Sequence, residues 1–180
     1  MNNGKTSHGR LVFLAQAAAI AALYAGLSYA GWGVGFGSWQ FRFAEALTLI
    51  PVLTPAAIPG LTVGCVLANL SSPFGLIDIV FGSLATLLAA LCAYLLRKIT
   101  VKGLPLLSAL MPVLFNGAII GAVIALTVAG PPDAAAFTWV NYFTFGGQVA
   151  LSELVICYAL GLPLILLLRK TPIFEKNWRA

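Results

Sequence analysis

The 180-residue chain is 61% hydrophobic and only 8% charged, with a formal net charge of +5 and a mean hydropathy of +0.99. A water-soluble domain of this size cannot present so little charge at its surface, so the composition excludes a soluble enzyme or a nucleic-acid-binding module and reads as an integral membrane protein. Uncharged runs recur along the whole length, which predicts one transmembrane domain over 1–180, with polar tails at 1–10 and 171–180 and no room for a soluble catalytic domain.

Residues Leu11 to Ala30 form a run of 20 without a charge, enough at about 1.5 Å per residue to cross roughly 30 Å of hydrocarbon. No cleavage pattern of a signal peptide follows, so this is read as a retained first helix. It carries Ala15, Ala18, Ala19, Ala22 and Gly26, small residues at spacings of three and four that let another helix approach closely, either within this protein or on a partner subunit. The glycine-rich stretch GWGVGFGSW (31–39) is expected to be a loop at the membrane surface, with Trp32 and Trp39 at interfacial depth. It resembles a phosphate-binding loop only superficially, since no strand-then-helix context or Walker lysine accompanies it.

From Gly37 to Asp78 the chain is apolar but broken by four prolines, Pro51, Pro55, Pro59 and Pro73, with charges at both ends. Further uncharged runs cover Ile79–Leu96, Leu104–Ala129 and Asn141 to Leu168. The second of these ends at Gly130-Pro131-Pro132-Asp133, a strong turn signal. Cys65, Cys92 and Cys157 lie far apart inside apolar segments without metal-binding spacing and read as small buried hydrophobes.

Positive charge sets the orientation, because short cytoplasmic loops are enriched in lysine and arginine. Lys5, Arg10, Arg97, Lys98, Lys102, Arg169, Lys170, Lys176 and Arg179 fall in three clusters accompanied by one acid, Glu175. All three clusters can be cytoplasmic together, which leaves Arg42 outside with Glu45, Asp78, Asp133 and Glu153. The segment between the first helix and Asp78 must then begin and end outside, and Phe43 to Ser72 is too short for two upright spans. The predicted fold is therefore an all-α, six-helix transmembrane bundle with both termini cytoplasmic and short or bent helices 2 and 3.

Ionisable groups within membrane segments are costly and mark interiors or cavities. Glu153 lies eleven residues beyond Tyr142, roughly 16 Å down the last helix, near mid-depth. Asn116 is expected at a similar depth, so the two are candidates for a shared pocket floor. Above them, on the outer side, lie Arg42, Glu45, Asn69, Asp78, Asn141 and Gln148, with Trp39, Phe41, Trp139, Tyr142 and Phe143 at the rim. Such a site suits a planar, polar, cationic ligand. Each residue also has a structural alternative: Arg42 pairing with Glu45 three residues on, Asp78 as an N-cap, Asn116 and Gln148 as interhelical hydrogen-bond partners, and the aromatics as an interface belt. His8, the only histidine, falls in the polar tail, which is expected to be disordered, and no hydrolase, zinc-protease or P-loop motif is present.

The strings QFRFAEALT, IPGLTVGCVLANL and GLIDIVFGSLATLLAA, in order between Gln40 and Ala90, resemble the QueT family, and this resemblance covers about half of the chain. It implies a substrate-capture (S) component of an energy-coupling factor transporter in the cell membrane. That would be a six-helix protein without a cofactor of its own, docked through helix 1 (Ala15, Ala18, Ala19, Ala22) on a transmembrane coupling subunit and two separate ATPases. The implied substrate is a queuosine precursor such as 7-aminomethyl-7-deazaguanine, or queuine. On that resemblance Glu45 and Glu153 take its donor edge and its ammonium, Asn69, Asn116 and Gln148 read its remaining polar edge, and Trp39 or Tyr142 stacks on its ring. A standalone secondary transporter and a membrane scaffold protein are the competing readings.

Overall fold

Hydrocarbon offers no hydrogen-bond partners, so a chain this apolar must satisfy its backbone internally. A computed structural model describes residues 3–35, 41–127 and 137–174, and among these every extended element is a helix. α1 spans Asn3–Ala30 and is followed by a single turn, α2 (Trp32–Gly35). A 3-10 helix covers Phe43–Val52 and leads to α3 (Ala57–Asn69), α4 (Leu76–Leu95) and α5 (Leu106–Thr127). α6 (Trp139–Ile156) continues through a π-helical turn, Cys157–Gly161, into α7 (Leu162–Leu168). Four helical stretches are long and apolar enough to cross a membrane: His8–Ala30, Leu76–Leu95, Leu106–Thr127 and Trp139–Leu168. Two shorter apolar helices, Phe43–Val52 and Ala57–Asn69, lie between the first and second.

Two details differ from the expectation at the start of the chain. His8 and Arg10 are helical rather than in a disordered tail, because α1 begins at Asn3. Residues 32–35 form a helical turn rather than an open loop, since Gly31 N–H bonds to Leu27 O and Gly35 N–H to Gly31 O, continuing the ladder past Ala30. Residues 36–40, and with them Trp39, lie outside the described residues, as does Asp133.

The 3-10 helix explains how so few residues make two legs. At about 2.0 Å per residue its ten residues rise roughly 20 Å, and the thirteen α-helical residues of α3 at about 1.5 Å rise the same distance. The legs match in length, and both fall short of a bilayer core of about 30 Å. Pro51, which has no N–H, lies inside the 3-10 segment, and the Thr48 hydroxyl donates to Glu45 O at 2.5 Å. All but Phe43 of its ten residues are buried, so this helix is the axis of the bundle and is wrapped by α1, α3, α4, α5 and the π turn.

Beyond the turn at Leu53–Ala56, a cavity of about 920 Å³ opens where the short legs end, bordered by Thr54, Gln16, Arg97, Lys98 and Gly103. The basic residues of the α4–α5 connection and the end of α7 meet here, and Arg169 Nη1 donates to Gly103 O at 3.1 Å. That connection is a tight turn, with Lys102 (φ 52°) and Gly103 (φ 76°) both left-handed between the bridged Val101 and Leu104.

Two glycine seams fix the helices around the axis. A Cβ at Gly60 would come within 2.7 Å of Ala17 O, and one at Gly64 within 2.9 Å of both Ala21 O and Tyr24 Cβ, so α1 and α3 touch backbone to backbone. A Cβ at Gly146 would come within 2.8 Å of Gly117 O, and one at Gly117 within 2.9 Å of Ala150 Cβ, which brings α5 equally close to α6.

Candidate functional site

The glycine seam between α5 and α6 brings two polar residues face to face. Asn116, on the buried face of α5, donates from Nδ2 to Glu153 Oε1 at 2.8 Å. The two residues meet at one depth, as counting along their helices expected. Asn116 also lies against the Glu45 carboxylate, so one amide stands between two acids from different elements. Glu45 is 1% exposed and Glu153 3%. Neither forms a salt bridge within the described residues, and Arg42, which pairs with Asp78, attracts both at longer range.

The 3-10 geometry sets Glu45 in place. With three residues per turn, side chains at i and i+3 eclipse, so Glu45 and Thr48 share one face of the axis. Tyr24, fully buried on α1, donates its hydroxyl to Glu45 Oε1 at 2.5 Å, while Glu45 Oε2 has no hydrogen-bond partner among the described residues. Across from it, Cys157 Sγ lies 3.7 Å from Glu153 Oε2, 3.8 Å from Glu45 O and 3.9 Å from Thr48 Oγ1. The π turn therefore begins at a residue touching the Glu153 carboxylate and the Glu45 main chain, and such turns inside α-helices are frequent at functional positions.

A second polar group sits toward the N-terminus of α4. Arg42 Nη2 pairs with Asp78 Oδ2 at 3.2 Å, both side chains being buried, and Arg42 Nε donates to Gly35 O at 3.3 Å. The helix-turn pairing of Arg42 with Glu45 is thus replaced by a longer-range one, because Arg42 is the extended residue before the 3-10 helix and points to α4. Asp78 is not the N-cap of α4. That position is Gly75 (φ 65°), and Asp78, one turn in, accepts from Ser72 Oγ at 2.6 Å. Asn69 Nδ2 donates to Asp78 O at 2.9 Å and lies 3.5 Å from Cys65 Sγ, which also accepts from Thr86 Oγ1 at 3.3 Å.

The remaining candidates are more peripheral. Gln148 is half-buried on α6, with Oε1 unpartnered. Asn141 is half-buried, and its N–H is taken by the Thr138 hydroxyl that caps α6. Tyr142 packs among Phe137, Trp139 and Phe143 with ring centroids 5.2 to 6.0 Å away, and Trp139 and Phe143 are each 68% exposed. This aromatic group has the exposure of an interface belt, and no ring contact joins it to Phe41, which packs edge-on to Phe43. Ala15, Ala18, Ala19 and Ala22 are exposed, while Ile20, Ala21 and Tyr24 on the other side of α1 are buried.

Tyr24, Thr48, Cys65 and Cys157 are the polar-site residues that sequence reasoning missed. Tyr24 and the cysteines lie in apolar runs and carry no signal of their own. Thr48 was legible only with the three-residue period of the 3-10 helix in hand.

The unpartnered buried side-chain atoms include Glu45 Oε2, Asn69 Oδ1, Asp78 Oδ1 and Gln148 Oε1, all acceptors. A buried acceptor without a donor costs about 1–3 kcal/mol, so each of these four atoms could accept from a donor that arrives. The sequence profile described as QueT transporter matches residues 14–170, which includes both polar groups, the last three membrane-length stretches and most of the first. No curated protein and no solved structure shows a significant match. The chain is a multi-pass membrane protein that belongs to the QueT transporter family.

Proposed function

We propose that this protein is the solute-capturing S component of an ATP-driven energy-coupling factor importer in the bacterial cytoplasmic membrane, and that it binds a 7-deazaguanine queuosine precursor from outside. The observation that carries the reading is the Glu45–Asn116–Glu153 group, two buried carboxylates on either side of one amide, neither in a salt bridge among the described residues. Family membership supports a transport role. The chemistry supports the ligand class: the base offers a ring N–H and an amino group along one edge, which a carboxylate accepts in paired hydrogen bonds. Its aminomethyl group is cationic near neutral pH and offsets the second acid. Asn69, Gln148 and the Asp78 oxygen that Arg42 leaves open supply further acceptors. Arg42 itself holds the mouth together through Asp78. Asn141 and Tyr142 lie at the rim, and Trp39 remains a candidate for stacking.

The exposed alanine face of α1 is the proposed seat for the coupling subunit, since small residues allow the close helix contact that such a subunit needs. With the three basic clusters cytoplasmic, both termini and the 920 Å³ cavity face the cytosol, and the two polar groups lie toward the outer side. ATP hydrolysis belongs to the partner chains.

Titration calorimetry of the purified protein with 7-aminomethyl-7-deazaguanine tests the ligand. Binding that weakens sharply in Glu153→Gln supports the pocket, and equal affinity in wild type and variant removes it. Co-purification with a polytopic partner and two ATPases tests the transporter class, whereas ion-gradient-driven uptake by this chain alone would favour a secondary transporter.

A further inference from the structure

Tyr24 lies on the one helix that touches both the proposed docking face and the proposed ligand site. Its side chain is fully buried, and its hydroxyl donates to Glu45 Oε1, 21 residues away, at 2.5 Å. A carboxylate rotates broadly about its last torsion, so an acid held at neither oxygen presents no fixed acceptor. With Oε1 held by Tyr24, the plane of Glu45 is set, and the unpartnered Oε2 is the atom left to a ligand.

The reach of that hydroxyl depends on the α1–α3 seam. Gly64 allows α1 to sit so close that any Cβ there would lie 2.9 Å from Tyr24 Cβ. The opposite face of α1 carries the exposed Ala15, Ala18, Ala19 and Ala22. A partner that moves α1 by a fraction of an ångström along this seam moves the hydroxyl that orients Glu45.

Resting on the ligand reading proposed above, we infer that Tyr24 is the positioning residue through which α1 holds the Glu45 carboxylate in its ligand-binding orientation, and that it mechanically couples the docking helix to the site. Tyr24→Phe keeps the ring packed on α3 and removes only the hydroxyl. The expected result is an affinity for 7-aminomethyl-7-deazaguanine about tenfold weaker, the size of one lost hydrogen bond to a charged group, with little change in the ligand-free melting temperature. In a Glu45→Ala background, which removes the acceptor, the same substitution should cost nothing further, whereas a tyrosine that merely fills space would act additively in both backgrounds.

Should Tyr24→Phe fail to fold, Gly64→Ala, which displaces Tyr24 without removing it, must weaken binding with the same dependence on Glu45. A wild type that binds while the folded variant binds equally well, or an additive double variant, overturns the role of Tyr24 and leaves the ligand reading standing. A wild type that binds no deazaguanine overturns both.

Discussion

Asp78 and Glu153 are both buried carboxylates on long apolar helices, 0% and 3% exposed, yet their surroundings differ. Asp78 has a cation, Arg42, and a hydroxyl, Ser72, on the same oxygen, and it ties the residue before the 3-10 helix to α4. Glu153 has an amide, a thiol and a second acid, Glu45, across Asn116. Carrying charge into low dielectric is costly unless it is compensated. The Arg42–Asp78 group compensates itself and acts as a tie. The Glu45–Glu153 group has no such salt bridge among the described residues, and it is the group proposed above to meet the ligand.

Substitutions on the two sides should therefore move different observables. Glu153→Gln should give the largest effect: affinity for the deazaguanine falls on the order of 100-fold with loss of a charge-assisted contact, while the melting temperature holds or rises because one buried acid has become neutral. A fall in stability without a change in affinity would make Glu153 a tie like Asp78. Arg42→Ala should do the reverse, leaving Asp78 uncompensated and costing about 3 kcal/mol in the unfolding free energy measured in lipid or detergent.

A smaller change is expected from Gly60→Ala. The new Cβ meets Ala17 O at 2.7 Å, so α1 must lift off α3 at a cost of roughly 1–3 kcal/mol, read as a lower melting temperature. The smallest stability change should come from Ala18→Leu on the exposed face of α1, within about 0.5 kcal/mol. That variant should still bind ligand but co-purify less with the coupling subunit. Unchanged recovery of the complex would move the docking surface elsewhere.

Much of this protein is readable from the order of its residues. Uncharged runs of membrane length locate the four long helices within a few residues, because in hydrocarbon length and the absence of charge leave the backbone no other solution. Depth counting along two helices was enough to bring Asn116 and Glu153 together, since rise per residue is constant. The exposed side of α1 was legible as a small-residue pattern, but whether it faced inward or outward was not.

Tertiary structure decided the rest. Arg42 turns from Glu45 to Asp78, 36 residues away, because a 3-10 helix with an extended first neighbour directs side chains differently from an α-helix. The choice of 3-10 geometry itself follows from packing around a central axis, which local sequence does not record. Tyr24 and Cys157 join the site only because glycine seams and a π turn bring distant apolar segments within hydrogen-bonding distance of the acids. Sequence alone determined which segments enter the membrane and which charges go with them, since that depends on transfer from water residue by residue. Which buried groups compensate one another depends on distances between helices, and those exist only once the bundle has closed.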